Sequence, residues 1–205
     1  TITENIGTLA ITRFPELSVA TGPGGLGKAQ FAVQSQHLIE NAEWDLIVCA
    51  GAAGALADDL PVGDVVIATE TVEHDIRNRF GPPQLPRFQT TPHVLDICRE
   101  IMQYNGDFVI HYAAIASGDE DVVDEDRRIE VRTRTGAVAV AWEGAGGARA
   151  CRLSGVPFVE IRGISDGANT SAAGDFVANL PLTMRNVASV VVALAQIHLG
   201  GNLLR

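Results

Sequence analysis

The chain has 205 residues, of which 46% are hydrophobic and 20% charged; this is the composition of one globular domain with a sizeable core and excludes a disordered tail or a collagen-like rod. Lys and Arg number 15 against 25 Asp and Glu, a formal net charge of -10 that argues against nucleic acid or an anionic membrane as partner. The expected partner is small or neutral.

In chain order, Thr8 to Phe14 and Leu17 to Thr21 read as short strands around a Pro15 turn, and Leu26 to Asn41 as a helix. Asp45 to Ala50 is a short apolar run of the kind that becomes a buried parallel strand, and Val62 to Glu70 is another strand after the Pro61 turn. Residues 77–92 carry four prolines and read as a long loop. Pro92 suits the start of a helix from Val94 to Asn105. Then come a strand from Phe108 to Ala116, a charged helix from Val122 to Thr135, a strand from Ala137 to Ala141 and a small-residue helix from Gly144 to Ser154. A strand from Pro157 to Gly163 and a long helix from about Leu180 to Leu199 close the chain. This alternation predicts a single α/β domain, a three-layer α/β/α sandwich with a central mixed, mostly parallel sheet and ligands at strand ends.

Cys49, Cys98 and Cys151 stand singly, with no C-x-x-C pair and no histidine at ligand spacing; they are expected to be buried free thiols in a reducing cytoplasm, with no metal and no cofactor. No apolar run reaches the ~18 residues that span a bilayer, and no signal-peptide pattern is present, so a cytoplasmic protein without a membrane partner is expected.

Four motifs could carry chemistry. Gly22-Pro-Gly-Gly-Leu-Gly-Lys28 approaches a phosphate-binding loop, but Ala29 stands where Ser or Thr would hold Mg²⁺, which leaves a tight strand-to-helix turn as the preferred reading. Ala50-Gly-Ala-Ala-Gly-Ala-Leu56, expected just after a buried strand, lets a ligand approach the backbone, although small residues also serve close packing. Glu143 ends a strand ahead of a helix, whose positive end would keep it ionised; a helix-capping glutamate fits equally well. Asp166 follows an apolar strand and precedes Gly167. It could act as a general acid, and an Asx turn or N-cap explains it too.

Taken in order, Ala50 to Leu56, Val62-Gly63-Asp64, Glu70, His74-Asp75, Ser117-Gly118-Asp119, Ala139 to Glu143 and Arg162 to Asp166 resemble the purine nucleoside phosphorylase and nucleosidase superfamily. Within it, the 5'-methylthioadenosine/S-adenosylhomocysteine nucleosidases are most similar. The resemblance implies that Asp166 protonates or hydrogen-bonds N7 of a purine while Ser165 holds it, and that the sugar passes through an oxocarbenium-like state. Glu143 would accept from the ribose hydroxyls, with Trp142 beneath the sugar where the family has methionine. Ala52 and Gly54 would lie against the nucleoside, Asp121 and Val122 beside the base, and Phe176, ten residues after Asp166, against the 5' substituent. Leu85 and Pro86 would reach a neighbouring subunit's site, which implies a homodimer.

Many phosphorylases place an arginine two residues before the first glycine of the small-residue loop and a serine or threonine just after it. Here Cys49 and Ala52 occupy those positions, so water is the expected co-substrate. The chain departs from the family elsewhere. Its first residues read as the family's second strand, so the first strand, whose glutamate activates water in the family, is not recognised in the sequence; Glu4 and Glu16 are the nearby acids. Asp121 replaces a stacking phenylalanine, and Ala141 replaces a glutamate near the sugar. The expected activity is hydrolysis of the N-glycosidic bond of a 5'-modified purine nucleoside; a phosphorylase or an impaired nucleoside-binding homologue are the alternatives.

Overall fold

A computed structural model describes residues 1–81, 84–101 and 108–202, the last four by their backbone alone. The chain opens with β1 (Ile2–Ile6), β2 (Leu9–Phe14) and β3 (Val19–Thr21), an antiparallel sheet in that order. A 3-10 turn at Pro15–Leu17 joins the last two. β1 was not expected: its side chains are nearly all exposed, so it carries no alternation to detect.

α1 (Gly27–Asn41) is followed by β4 (Ile47–Ala55), β5 (Val65–Glu73), β6 (Arg87–Gln89) and α2 (Pro92–Arg99). β6 lies within the segment expected to be a loop, and α2 stops at Arg99; Asn105, the expected end of that helix, lies outside the described residues. β7 (Ile110–Ser117), α3 (Glu125–Thr135), β8 (Ala139–Ala141), α4 (Gly144–Ser154), β9 (Phe158–Asp166) and α5 (Ala172–Asn202) complete the order. Asp124 caps α3 by accepting from the Arg127 N–H at 2.8 Å, so the helix begins later than Val122.

The main sheet has the order β6-β5-β7-β8-β4-β9, and β5 also pairs with β9, so the sheet curls until its flanks meet. β4 and β9 run parallel, as do β5, β7 and β8, and the two blocks oppose each other where β4 meets β8 and β5 meets β9. The mixed α/β architecture is therefore as expected, with its long pairings parallel.

Strand alternation sorts the core. Val65 and Ile67 of β5 and Val159 and Ile161 of β9 face α2 and α5, where Val187, Val190 and Leu194 cover them. Val66, Ala68 and Ile164 point inside the curled sheet with Ile115 and Ala53. Ile47, Cys49 and Phe158 face Ala148 and Cys151 of α4. Within α5, Ala172–His198 holds an 18-residue window of mean hydropathy 1.4, enough by length and composition to cross a membrane, although polar residues interrupt it and no unbroken apolar run of that length occurs. One face of that helix packs on the sheet.

β4 runs five residues beyond its expected end at Ala50, through the run of small residues. The reason is its partner: β9 pairs with it residue by residue from Ile47 to Ala53, which overrides the low strand propensity of Ala and Gly. A bulge at Ala53/Gly54 then passes it to the short β8.

Candidate functional site

From Ala50 to Ala55, β4 carries no side chain larger than a methyl group, and Ala50 is exposed. Side chains of the neighbouring strand β9 lean over this run. On the β9 side Arg162 lies against Gly51, where a Cβ would overlap its guanidinium. Asp166 lies against Gly54, where a Cβ would come within 2.9 Å of Oδ1. Glycine at both places is a matter of room.

Asp166 is buried at the end of β9. Its Oδ2 accepts from Ser165 Oγ at 2.7 Å and its Oδ1 from the Ala168 N–H at 2.9 Å. The Asx turn foreseen as the ordinary explanation is thus present, and it fixes the carboxylate. Ser165 Oγ also lies 3.3 Å from the Ala53 carbonyl, and Asn179 of α5 donates to the Ser165 carbonyl at 2.9 Å.

Glu143 follows β8 at the position preceding α4, yet its side chain makes no cap hydrogen bond there. Ser117 Oγ takes that place, accepting from the Ala145 N–H at 3.0 Å and donating to the Trp142 carbonyl at 2.8 Å. The Glu143 carboxylate instead accepts from Arg162 Nη2 at 2.9 Å and from the Gly27 N–H, at the start of α1, at 3.4 Å. The helix end that Glu143 meets is therefore that of α1, not the α4 terminus expected from its sequence position.

Glu143 and Arg162 line a cleft of about 200 Å³ together with Gly24, Phe31, Cys49 and Gly51. Asp166 does not line it; that acid stands three residues further along β4. The two acids are thus related through the β4 backbone rather than through this cleft. Of the other expected site residues, Ala52 and Gly54 lie on β4 itself, and Trp142 is half-buried beside Glu143. Val122 is buried in the core beneath α3, whereas Asp121 is exposed. Phe176 lies on α5, 41% exposed. Leu85 and Pro86 precede β6, and the Pro86 carbonyl accepts from the Glu73 N–H at 2.9 Å.

The chain matches the sequence profile of the phosphorylase superfamily over residues 6–196. It belongs to that superfamily. A 5'-methylthioadenosine/S-adenosylhomocysteine nucleosidase of an Exiguobacterium species is 31% identical over 180 residues, covering 84% of this chain and 77% of the relative. The crystal structure of the nucleosidase of that name from Neisseria meningitidis, in complex with methylthio-immucillin-A, superposes with a TM-score of 0.83 at 29% identity, covering 94% of this chain and 88% of the other. Futalosine hydrolase of Helicobacter pylori shares the fold, with a TM-score of 0.86 at 24% identity and coverage of 95% and 87%.

In this superfamily member the charged groups near the cleft are tightly paired. Lys28, which ends the glycine-rich turn, directs its ammonium to Asp75, with Glu73 at 3.5 Å and Asp119 at 3.7 Å. Burial works against its charge, but these carboxylates raise its pKa. The glycine-rich turn thus places its lysine among acids rather than leaving it free for a phosphate. Burial also opposes the charge of Arg162, and Cys49, Glu160 and Glu143 outweigh it, so its pKa is raised. The Cys49 thiol is pushed up by burial, against the pull of Arg162. All three cysteines are free and buried, as expected.

Sequence reasoning gave Arg162 no role beyond membership of a motif and did not single out Glu160. Both could have been noticed as charges alternating with apolar residues inside a strand that is otherwise wholly buried.

Proposed function

We propose that this chain hydrolyses the N-glycosidic bond of a purine nucleoside with a modified 5' position, of the methylthioadenosine, adenosylhomocysteine or futalosine kind. One observation carries the reading: Arg162, which holds Glu143, and Asp166, which Ser165 and the Ala168 amide hold, stand against Gly51 and Gly54, three residues apart on a strand segment with no side chain larger than a methyl group. Asp166, oriented by Ser165 and the Ala168 amide, hydrogen-bonds and protonates N7, which turns the purine into a better leaving group. Glu143 accepts hydrogen bonds from the ribose hydroxyls as positive charge develops on the sugar. Water adds to the sugar carbon. Trp142, Ala52 and Gly54 border the sugar and base; Asp121 and Val122 lie towards the base and Phe176 towards the 5' group.

Charge favours water over phosphate as the nucleophile. Arg162, the cation that lines the cleft, is already paired with Glu143 and Glu160. We include a cytoplasmic homodimer in the proposal, in which Leu85 and Pro86 complete the partner's site. The same segment carries Ile76 and Phe80, both exposed.

Incubating the protein with each nucleoside should release free base without phosphate. Asp166→Asn keeps an oxygen for the Ala168 amide but loses the acid, and should lower kcat by roughly 10²–10⁴-fold with the circular dichroism spectrum unchanged. Release that requires phosphate would instead establish a phosphorylase.

A further inference from the structure

Arg162 is enclosed by protein acceptors. Glu160, two residues earlier on the same face of β9, is fully buried; its Oε1 accepts from Arg162 Nε at 2.8 Å and its Oε2 from Thr71 Oγ1 at 2.6 Å. Arg162 Nη2 donates to Glu143 Oε2 at 2.9 Å and to Cys49 Sγ at 3.2 Å, and Nη1 to the Ala52 carbonyl at 3.3 Å. Four of its five N–H groups are therefore directed at protein atoms. The first residue of α4 makes room for this arrangement: a Cβ at Gly144 would overlap the Glu160 carboxylate. By formal charge the cluster is one guanidinium against two carboxylates.

We propose that Glu160 is a positioning residue that keeps phosphate out of the nucleophile site. This rests on the nucleosidase reading above. From behind, out of reach of substrate, Glu160 holds Arg162 by Nε and balances its charge, so that the guanidinium grips Glu143 and presents no net positive charge to the cleft. A phosphate dianion entering there meets a cluster with an excess of negative charge inside a partly enclosed site, whereas neutral water does not. Without the Glu160 charge, Arg162 is opposed by Glu143 alone, and its remaining Nη1–H is free to take an anion.

The test is Glu160→Gln, which keeps the length, an amide oxygen for Nε and a hydrogen-bond partner for Thr71 while removing the charge. Titrated calorimetrically with inorganic phosphate at fixed ionic strength, the glutamine variant should bind on the order of tenfold or more tighter than the wild type. Glu160→Asp, which restores the charge, should return binding to the wild-type level. Glu160→Ala, which leaves space for water at Nε, gives the same comparison if the glutamine variant does not fold. Equal phosphate affinity in the wild type and the neutral variant would overturn the proposal, even if the variant were less stable, because a merely structural role predicts that result. The measurement needs no turnover. Failure of the wild type to release base from any nucleoside would therefore refute the nucleosidase reading and leave the phosphate comparison intact.

Discussion

A carboxylate at the start of a helix ordinarily caps that helix, and Glu143 does not. The reason is competition: Ser117 already serves the Ala145 amide, and Arg162 draws Glu143 toward β4. Gly144 shows how tightly the same region is filled. Replacing a helical glycine by alanine ordinarily stabilises by about 0.5–1 kcal/mol. At position 144 the added methyl meets the buried Glu160 carboxylate, so Gly144→Ala should destabilise by roughly 1–3 kcal/mol in urea unfolding. Gly174, on α5 with nothing near its missing Cβ, is the control, and Gly174→Ala should be neutral or stabilising. If both substitutions stabilise, Glu160 does not occupy the place described. Asp166 and Glu143 were legible in the sequence because each stands at a strand end beside a glycine. The pairing of Arg162 with Glu160 was not, because it depends on strand pleating and on Thr71, 89 residues away.

Where elements begin and end was harder to read than where they exist. β4 was expected to stop at Ala50 because alanine and glycine have little strand propensity of their own; β9, which pairs with it, comes more than a hundred residues later. α5 was expected to begin near Leu180, yet the helix starts at Ala172 and passes through Pro181. Side chains on either side anchor it to the sheet. Asn179 donates to the Ser165 carbonyl, Thr183 to the Ile164 carbonyl at 3.0 Å, and Asn186 to the Gly63 carbonyl at 2.7 Å. Pro181 itself is exposed, lacks the N–H that a helix interior needs and crowds the carbonyl one turn earlier. Pro181→Ala should therefore raise stability by up to about 3 kcal/mol. At ~2–4 °C per kcal/mol, thermal unfolding would show a Tm higher by several degrees. A Tm that stays level or falls would mean that the proline packs in a way its exposure does not reveal.

At the scale of the molecule, the ends of the neighbouring strands β5 and β7 meet charged residues of α1 and α3 around one buried imidazole. His74 follows β5, and its N–H donates to the Ser117 carbonyl at the end of β7 at 3.0 Å. Neither ring nitrogen makes a hydrogen bond among the described residues, and Nδ1 lies 3.3 Å from Glu120 Oε1. Burial lowers its pKa; Glu120 and Asp75 pull it up, Arg127 and Lys28 push it down, and the balance stays below the ordinary value of 6.5. Below about pH 6.5 the unfolded chain takes up a proton that native His74 refuses, so stability falls with pH until the native pKa is reached, by at most about 1.4 kcal/mol per pH unit. A chain of net charge -10 has an opposing tendency, since acid relieves its self-repulsion. The difference between two proteins isolates the histidine: His74→Gln keeps a polar side chain that does not titrate. Denaturant unfolding between pH 7.5 and pH 5 should show the wild type losing stability relative to the variant as pH falls. Parallel curves would mean that the imidazole is protonated as readily in the native protein as in the unfolded chain, and that the junction of β5, β7, α1 and α3 tolerates a buried charge.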